Sequence, residues 1–215
     1  LIMNKKYKVI KNVLSKSVAS FFTDYYFMKQ QVAFKMLKEG YISSDRKEWG
    51  TWSDPQALET YSCYSDLNSE TLLVTLHPLI EKTFKTNLIP TYSYMRIYKK
   101  GDVLKKHTDR DECEVSATLN LGGSFWPIYF KEKNKKLIKV NLKHGDLAIY
   151  KGSEIEHWRE HFDGEYCVQV FLHYTTEKNK HLTFDNREML GLPAVFKRDK
   201  GIIQDIEFHN KLFKK

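Results

Sequence analysis

Three residues of types that bind metal ions stand out in the sequence. His107 and Asp109 form a His-x-Asp pair. Residues two apart in an extended chain project to the same side, so both side chains can reach one ion. A third ligand must come from another segment, and His157, just after a predicted strand, is well placed for that role. Two imidazoles and one carboxylate leave three octahedral positions open, an arrangement typical of non-haem iron centres.

A His-x-Asp pair alone is common in unrelated chains, so the prediction depends on the elements that would position it. After Pro90 the side-chain period changes from about 3.6 to 2. Tyr92, Tyr94, Arg96 and Tyr98 then fall on one face of a strand. Further strands are predicted at 113–121, 126–131, 137–142, 146–150 and 165–175, with glycine-containing turns between most of them.

Two helices are predicted before the strands. Apolar residues recur at helical spacing over 15–38, and a second helix is predicted over 69–85, where Pro78 should kink or restart it. Residues 41–65 are predicted to be irregular. Helices followed by many short strands favour an α+β chain that is mainly β, in which a sandwich or barrel rests on helices.

The order of features over 94–174 resembles the prolyl 4-hydroxylase-like branch of the Fe(II)/2-oxoglutarate oxygenases, over about 80 of the 215 residues. The matching residues are Arg96-Ile97-Tyr98, Gly101, His107-Thr108-Asp109, 116–121, Gly122-Gly123, Trp126-Pro127, 143–150 and His157. The resemblance implies a double-stranded β-helix, or jelly roll, with N-terminal supporting helices. It also implies a hydroxylase that uses Fe(II), 2-oxoglutarate and O₂ and releases succinate and CO₂.

The resemblance gives roles to two further residues. Tyr98 matches a tyrosine that lines the family's 2-oxoglutarate pocket. Thr118 stands where the family often offers a hydroxyl to the distal carboxylate of that co-substrate.

The sequence departs from the family at one position. The family places Arg or Lys nine or ten residues after the distal His to bind the C5 carboxylate, but Tyr166 and Cys167 stand there. A buried carboxylate needs a cationic partner, preferably a guanidinium. Arg96, on the same strand face as Tyr98, and Arg159, two residues after His157, are the candidates. Either one could instead be a surface or ion-pair arginine. Arg159 is slightly favoured because its segment lies nearer the family's usual site.

A single domain over 1–215 is predicted, with helical support and a variable loop in 1–89, a catalytic β-helix in 90–176 and a C-terminal extension in 177–215. The three cysteines have no spacing that suggests disulfides or a zinc site, and no apolar run is long enough to span a membrane. A cytoplasmic protein without a signal peptide is therefore expected. The other histidines of the catalytic and C-terminal regions, His144, His161, His173 and His181, are expected to be solvated or core residues.

The substrate is not readable from the sequence. The resemblance favours a prolyl or other peptidyl residue. The net charge of +8 keeps a nucleic-acid oxidative demethylase open, and it would need an aromatic lid such as one formed by Trp49, Trp52, Tyr61 and Tyr64. A small-molecule hydroxylase and a non-catalytic jelly-roll binding module are further alternatives. The oligomeric state is also left open.

Overall fold

The computed structural model describes residues 6–131 and 137–194. Its helices are α1 (Lys16–Lys38) and α2 (Leu67–Phe84), and three 3₁₀ segments cover Lys47–Trp49, Asp111–Cys113 and Glu177–Asn186. Its strands are β1 (Tyr7–Ile10), β2 (Tyr61–Tyr64), β3 (Ile89–Lys99), β4 (Leu104–His107), β5 (Val115–Gly123), β6 (Ile128–Lys131), β7 (Ile138–Val140), β8 (Leu147–Tyr150), β9 (Glu156–Arg159) and β10 (Tyr166–Thr175). Residues 195–215 of the expected C-terminal extension lie outside the described residues.

The strands form two antiparallel sheets. The larger has the order β1-β8-β5-β10-β3-β2 and the smaller has the order β4-β9-β6-β7. Ile128 and Phe130 of the small sheet share a core cluster with Ala148 and Tyr150 of the large sheet, so the inner faces pack together. The prediction of a mainly β jelly roll with N-terminal helices is confirmed.

Helix α1 covers part of the outer face of the large sheet. The Ser15 side chain accepts a hydrogen bond from the Val18 backbone N–H and begins the helix, as Ser at an N-cap commonly does. Close approach to the sheet requires a glycine at position 122, because a Cβ there would lie 2.5 Å from Thr23 Oγ1.

Helix α2 begins after the N-cap Asp66 and buries Leu72, Leu73, Leu76 and Ile80. The predicted restart at Pro78 does not occur, since one helix runs from Leu67 to Phe84 through the proline. The carbonyl that loses its intrahelical donor is that of Val74, four residues earlier. Val74 is exposed, so water can supply the missing hydrogen bond.

Four short strands were not predicted as such. β1, β2, β4 and β9 have four residues each, too few to show a period clearly. β2 lies within the region 41–65 that was predicted to be irregular, and its pairing with β3 places it at one edge of the large sheet. Neither described α-helix is both long enough and apolar enough to cross a membrane.

Candidate metal centre

The small sheet brings the two candidate histidines together. His107 is the last residue of β4 and pairs directly with His157 of β9, with ring centroids 4.3 Å apart. Asp109 follows β4, and its backbone N–H donates to the Gly152 carbonyl at 2.9 Å. Its Oδ1 lies 3.5 Å from His107 Nε2 and 3.4 Å from His157 Nε2. The three side chains therefore offer ligand atoms that all lie within 4.8 Å of one another.

The hydrogen bonds of the two imidazoles suit metal binding. His107 Nδ1 lies 2.7 Å from the Lys105 carbonyl, and His157 Nδ1 lies 3.1 Å from the Ile155 carbonyl. A carbonyl can only accept, so each Nδ1 carries the proton and each Nε2 presents a lone pair. This tautomer, protonated on Nδ1, leaves Nε2 free to bind a metal, and Nε2 is the nitrogen that faces Asp109 in both rings.

Asp109 is the anionic member of the group. Burial alone would raise its pKa, but hydrogen bonds from His107 and His157, which form when the imidazoles are protonated, outweigh this and hold the pKa well below its ordinary value. Its second oxygen, Oδ2, accepts a hydrogen bond of 2.7 Å from the Ser116 hydroxyl on β5. Ser116 in turn lies 3.0 Å from His173 Nδ1 on β10.

His173 is a core histidine, as expected, but its link to Asp109 through Ser116 was not predicted. Burial lowers the pKa of His173 to about 4, so its ring is neutral at neutral pH. His173 is four residues after Gln169 on β10, so both side chains lie on the strand face that points toward the small sheet. This even spacing along the strand is the sequence signal that could have indicated His173 as a site residue.

A cavity of about 460 Å³ opens beside the three candidate ligands. Its walls are mainly aromatic and polar, and include Tyr64, Tyr92, Tyr94, Tyr150 and Phe171. The cavity thus has the three candidate metal ligands on one wall and a partly apolar space next to them.

The C-terminal segment contacts two residues that line this cavity. Asp185 accepts hydrogen bonds from Arg110 Nη2 at 3.1 Å and from the Tyr64 hydroxyl at 2.5 Å. Arg110 and Tyr64 both line the cavity. Residue 185 lies in the predicted C-terminal extension, for which no role at the site is predicted from the sequence.

Arg96 lies in the cavity wall, as part of an ion pair. Its Nε and Nη2 both lie 2.7 Å from Asp54 Oδ2, and its Nη2 also donates to Gln56 Oε1 at 2.7 Å. Nη1 donates to the Tyr98 hydroxyl at 3.1 Å. The carboxylate of Asp54 therefore already compensates the charge of Arg96.

Arg159 has a different environment. It is 1% exposed and lies between the two sheets, where its hydrogen-bond acceptors among the described residues are all neutral. These are the Trp126 carbonyl, Thr118 Oγ1 at 3.4 Å and Gln169 Oε1 at 3.2 Å. Its Nε is buried with no hydrogen-bond partner, and within the described residues no carboxylate pairs with it. A buried cation without an anionic partner is costly, so this position fits an anionic ligand.

The residues around Arg159 include the remaining candidates. Tyr98 is fully buried and contacts the indole of Trp126 edge-on, with centroids 4.9 Å apart. Cys167 occupies the family's usual basic position on β10, faces inward and lies 3.2 Å from Gln169 Nε2. Tyr166 faces the opposite way and packs on Phe27 of α1. Arg159 on β9 of the small sheet and Cys167 on β10 of the large sheet thus both contact the Gln169 side chain.

Solved structures share this fold. The chain is similar to a prolyl-4-hydroxylase from Pseudomonas putida, with a TM-score of 0.58, 11% identity and coverage of 82% of this chain and 95% of that one. It is similar to a viral collagen prolyl hydroxylase from Paramecium bursaria Chlorella virus-1 in complex with 2-oxoglutarate (TM-score 0.56, 12% identity, coverage 82% and 99%). HygX from Streptomyces hygroscopicus, with nickel and 2-oxoglutarate bound, gives a TM-score of 0.57, 14% identity and coverage of 90% and 92%.

These likenesses establish that the chain has the double-stranded β-helix fold found in 2-oxoglutarate-dependent oxygenases. At 14% identity or less they show the fold alone. No protein-family model matches the sequence, and no curated protein sequence matches it either.

Proposed function

We propose that the chain is an Fe(II)- and 2-oxoglutarate-dependent oxygenase whose iron is held by His107, Asp109 and His157. The observation that carries this is the convergence of two Nε2 lone pairs on Asp109 Oδ1, at 3.5 and 3.4 Å, beside a cavity. Two imidazoles and one carboxylate on one face favour Fe(II) and leave room for a bidentate 2-oxo acid and O₂. When bound, iron supplies the oxidation that couples substrate hydroxylation to release of succinate and CO₂.

The chain's own residues bind and orient the co-substrate. We assign the C5 carboxylate to Arg159, because it is a buried cation without an acidic partner among the described residues. Arg159 is two residues after His157 on β9, so both side chains share a face about 7 Å apart along the strand. That span suits a five-carbon diacid whose other end binds iron. Tyr98 can add a hydroxyl donor, and Thr118 can do so if its hydroxyl turns from Gln169 Oε1, to which it donates at 3.0 Å.

The alternative anchor, Arg96, is less suitable. Asp54 already neutralises it, so a second carboxylate would have to displace the first. We propose that Arg96 instead shapes the wall of the cavity next to Tyr94 and Phe171, whose rings lie 5.0 and 5.6 Å from its guanidinium carbon.

For the substrate we propose a prolyl or other peptidyl residue. Three of the similar structures are prolyl hydroxylases by name, and one of these is in complex with a hypoxia-inducible-factor peptide. A substrate residue would enter the cavity of about 460 Å³ beside the three candidate ligands. The aromatic lid that a nucleic-acid demethylase would need is not supported: Trp49, Trp52 and Tyr61 pack on the hydrophobic core, and of the four only Tyr64 lines the cavity.

The test is release of succinate from 2-oxoglutarate in the presence of Fe(II) and O₂, screened over prolyl peptides, methylated oligonucleotides and small molecules. Stimulation of succinate release by a proline-containing peptide, with an added oxygen atom in that peptide, is the expected result. Asp109→Ala should abolish succinate release without unfolding the domain, because it removes a ligand and no part of the core. A parent protein that binds neither metal nor 2-oxoglutarate would show the proposal to be wrong.

A further inference from the structure

The second oxygen of Asp109 lies at the end of a buried chain of hydrogen bonds. Ser116 is 0% exposed and lies 2.7 Å from Asp109 Oδ2, and His173 is 7% exposed and lies 3.0 Å from the Ser116 oxygen. These contacts come from β5 and β10 of the large sheet, whereas His107 and His157 lie on the small sheet. The Asp109 carboxylate is thus hydrogen-bonded to the large sheet through Oδ2 and lies close to the two imidazoles of the small sheet through Oδ1.

The direction of each hydrogen bond follows from the groups involved. Asp109 is ionised and can only accept, so the single hydroxyl proton of Ser116 goes to Oδ2. The Ser116 oxygen must then accept from His173, which places a proton on His173 Nδ1. The carbonyl of Cys113, at 3.4 Å, is the other acceptor within reach of the Ser116 hydroxyl, but it is more distant and uncharged. The chain therefore runs from His173 through Ser116 to Asp109.

We propose, on the basis of the proposed iron site, that Ser116 is a positioning residue that keeps Asp109 a one-oxygen metal ligand, with His173 fixing the Ser116 hydroxyl. A carboxylate that bound through both oxygens would occupy a fourth coordination position. One of the three positions needed for the 2-oxo acid and O₂ would then be lost. With Oδ2 bonded to Ser116, only Oδ1 faces the two imidazoles. Ser116 thus preserves an open centre without touching the metal.

The test uses Co(II) binding to the full chain, without 2-oxoglutarate and without turnover. Ser116→Ala is expected to weaken Co(II) affinity by about tenfold to a hundredfold, the usual effect of losing a hydrogen bond behind a metal ligand. The visible spectrum of bound Co(II) should also change, because its intensity reports coordination number. Ser116→Thr, which keeps the hydroxyl, should restore both, and His173→Phe should cause a smaller loss of about threefold to tenfold.

The matched control is Ser69→Ala, which removes another fully buried hydroxyl, one bonded to Tyr26 at helix α2. It should leave Co(II) affinity and spectrum unchanged, and thermal unfolding should show that all variants are folded. If Ser116→Ala binds Co(II) with the parent's affinity and spectrum, the positioning role is wrong while the metal site stands. If the parent binds Co(II) no better than Asp109→Ala does, the iron site itself is wrong.

Discussion

The Asp109 carboxylate borders the cavity, but its Oδ2 is closely packed against Gly152. A Cβ at Gly152 would come inside van der Waals contact of Asp109 Oδ2 and would lie 2.5 Å from the Cys113 carbonyl oxygen and 2.6 Å from Ser116 Oγ. The Cys113 oxygen belongs to the backbone, and Ser116 Oγ is hydrogen-bonded to Asp109, so neither atom can move away without an energetic cost. Glycine is therefore needed at position 152 because of close approach.

Gly152→Ala should displace the Asp109 carboxylate. We expect the affinity for Co(II) or Mn(II) to fall by about tenfold or more, and overpacking to reduce the free energy of unfolding by about 1–3 kcal/mol. Metal titration and urea denaturation on the same preparation measure the two effects. A variant that binds metal as the parent does would mean that the carboxylate tolerates the extra methyl group.

The two arginines make a second prediction at the residue scale. Arg159→Met should raise the dissociation constant for 2-oxoglutarate by at least about tenfold, equivalent to about 1.4 kcal/mol, because it removes the cation assigned to the C5 carboxylate. Arg96→Met should have a smaller effect on that constant, since Arg96 is paired with Asp54. Titration of 2-oxoglutarate against each metal-loaded variant compares them. The assignment fails if Arg96→Met is the more damaging change.

At the scale of elements, β1 is held to the sheet by more than its pairing with β8. Asp146, in the turn before β8, accepts hydrogen bonds from Lys11 Nζ at 2.8 Å, from the Asn12 backbone at 3.1 Å and from the Lys143 backbone at 2.8 Å. Burial would raise the pKa of Asp146, but these donors lower it below its ordinary value. The ionised carboxylate of Asp146 is thus the form that holds the end of β1 against the sheet.

Asp146→Asn should destabilise the fold by about 2 kcal/mol near neutral pH, since hydrogen bonds to a charged group contribute about 1.5–3 kcal/mol each and the amide retains part of them. A lowered folded-state pKa gives stability that is complete above the unfolded value, about 3.9, and is lost as pH falls through the folded value. The difference between parent and variant should therefore shrink below about pH 4. Urea denaturation at several pH values measures it, and a constant difference would contradict the account.

At the scale of the whole molecule, a buried ion pair joins the N-terminal helices to the C-terminal segment. Glu70 of α2 lies 3.3 Å from Arg187 Nη1, and the two side chains are 4% and 0% exposed. Glu70 also accepts from the backbone N–H of Ser93 on β3 and of Gly191, and Arg187 donates to the Thr91 carbonyl. The Glu70–Arg187 pair thus holds in place the segment that contains Asp185, which contacts the cavity-lining residues Tyr64 and Arg110.

Arg187→Met should reduce the free energy of unfolding by about 3–5 kcal/mol, because it leaves the Glu70 carboxylate buried without its partner. The double variant Glu70→Gln with Arg187→Met should be less destabilised than the sum of the two single changes. Chemical denaturation of the four proteins gives this coupling. Additive losses would indicate that the two side chains act independently.

The helices and strands with a clear side-chain period can be predicted from the sequence alone. The helix α1 and the long strands β3, β5 and β10 are predicted because each has 9 to 23 residues. This length is enough for the alternation of buried and exposed side chains to be recognised. The mainly β jelly roll was likewise predicted from the resemblance. His107, Asp109 and His157 were selected from residue types and spacing, and the structure brings them together; their role as iron ligands stays a prediction.

Tertiary structure alone decided which side chains meet across the two sheets. Ser116, His173 and Gly152 converge on Asp109 from three separate segments, and no local pattern encodes that distance. The different environments of the two arginines also cannot be predicted from the sequence, in which both have the same formal charge. Arg96 forms an ion pair with Asp54 of a distant loop, whereas Arg159 has no carboxylate partner among the described residues. Burial and ion pairing depend on how strands far apart in the chain pack together.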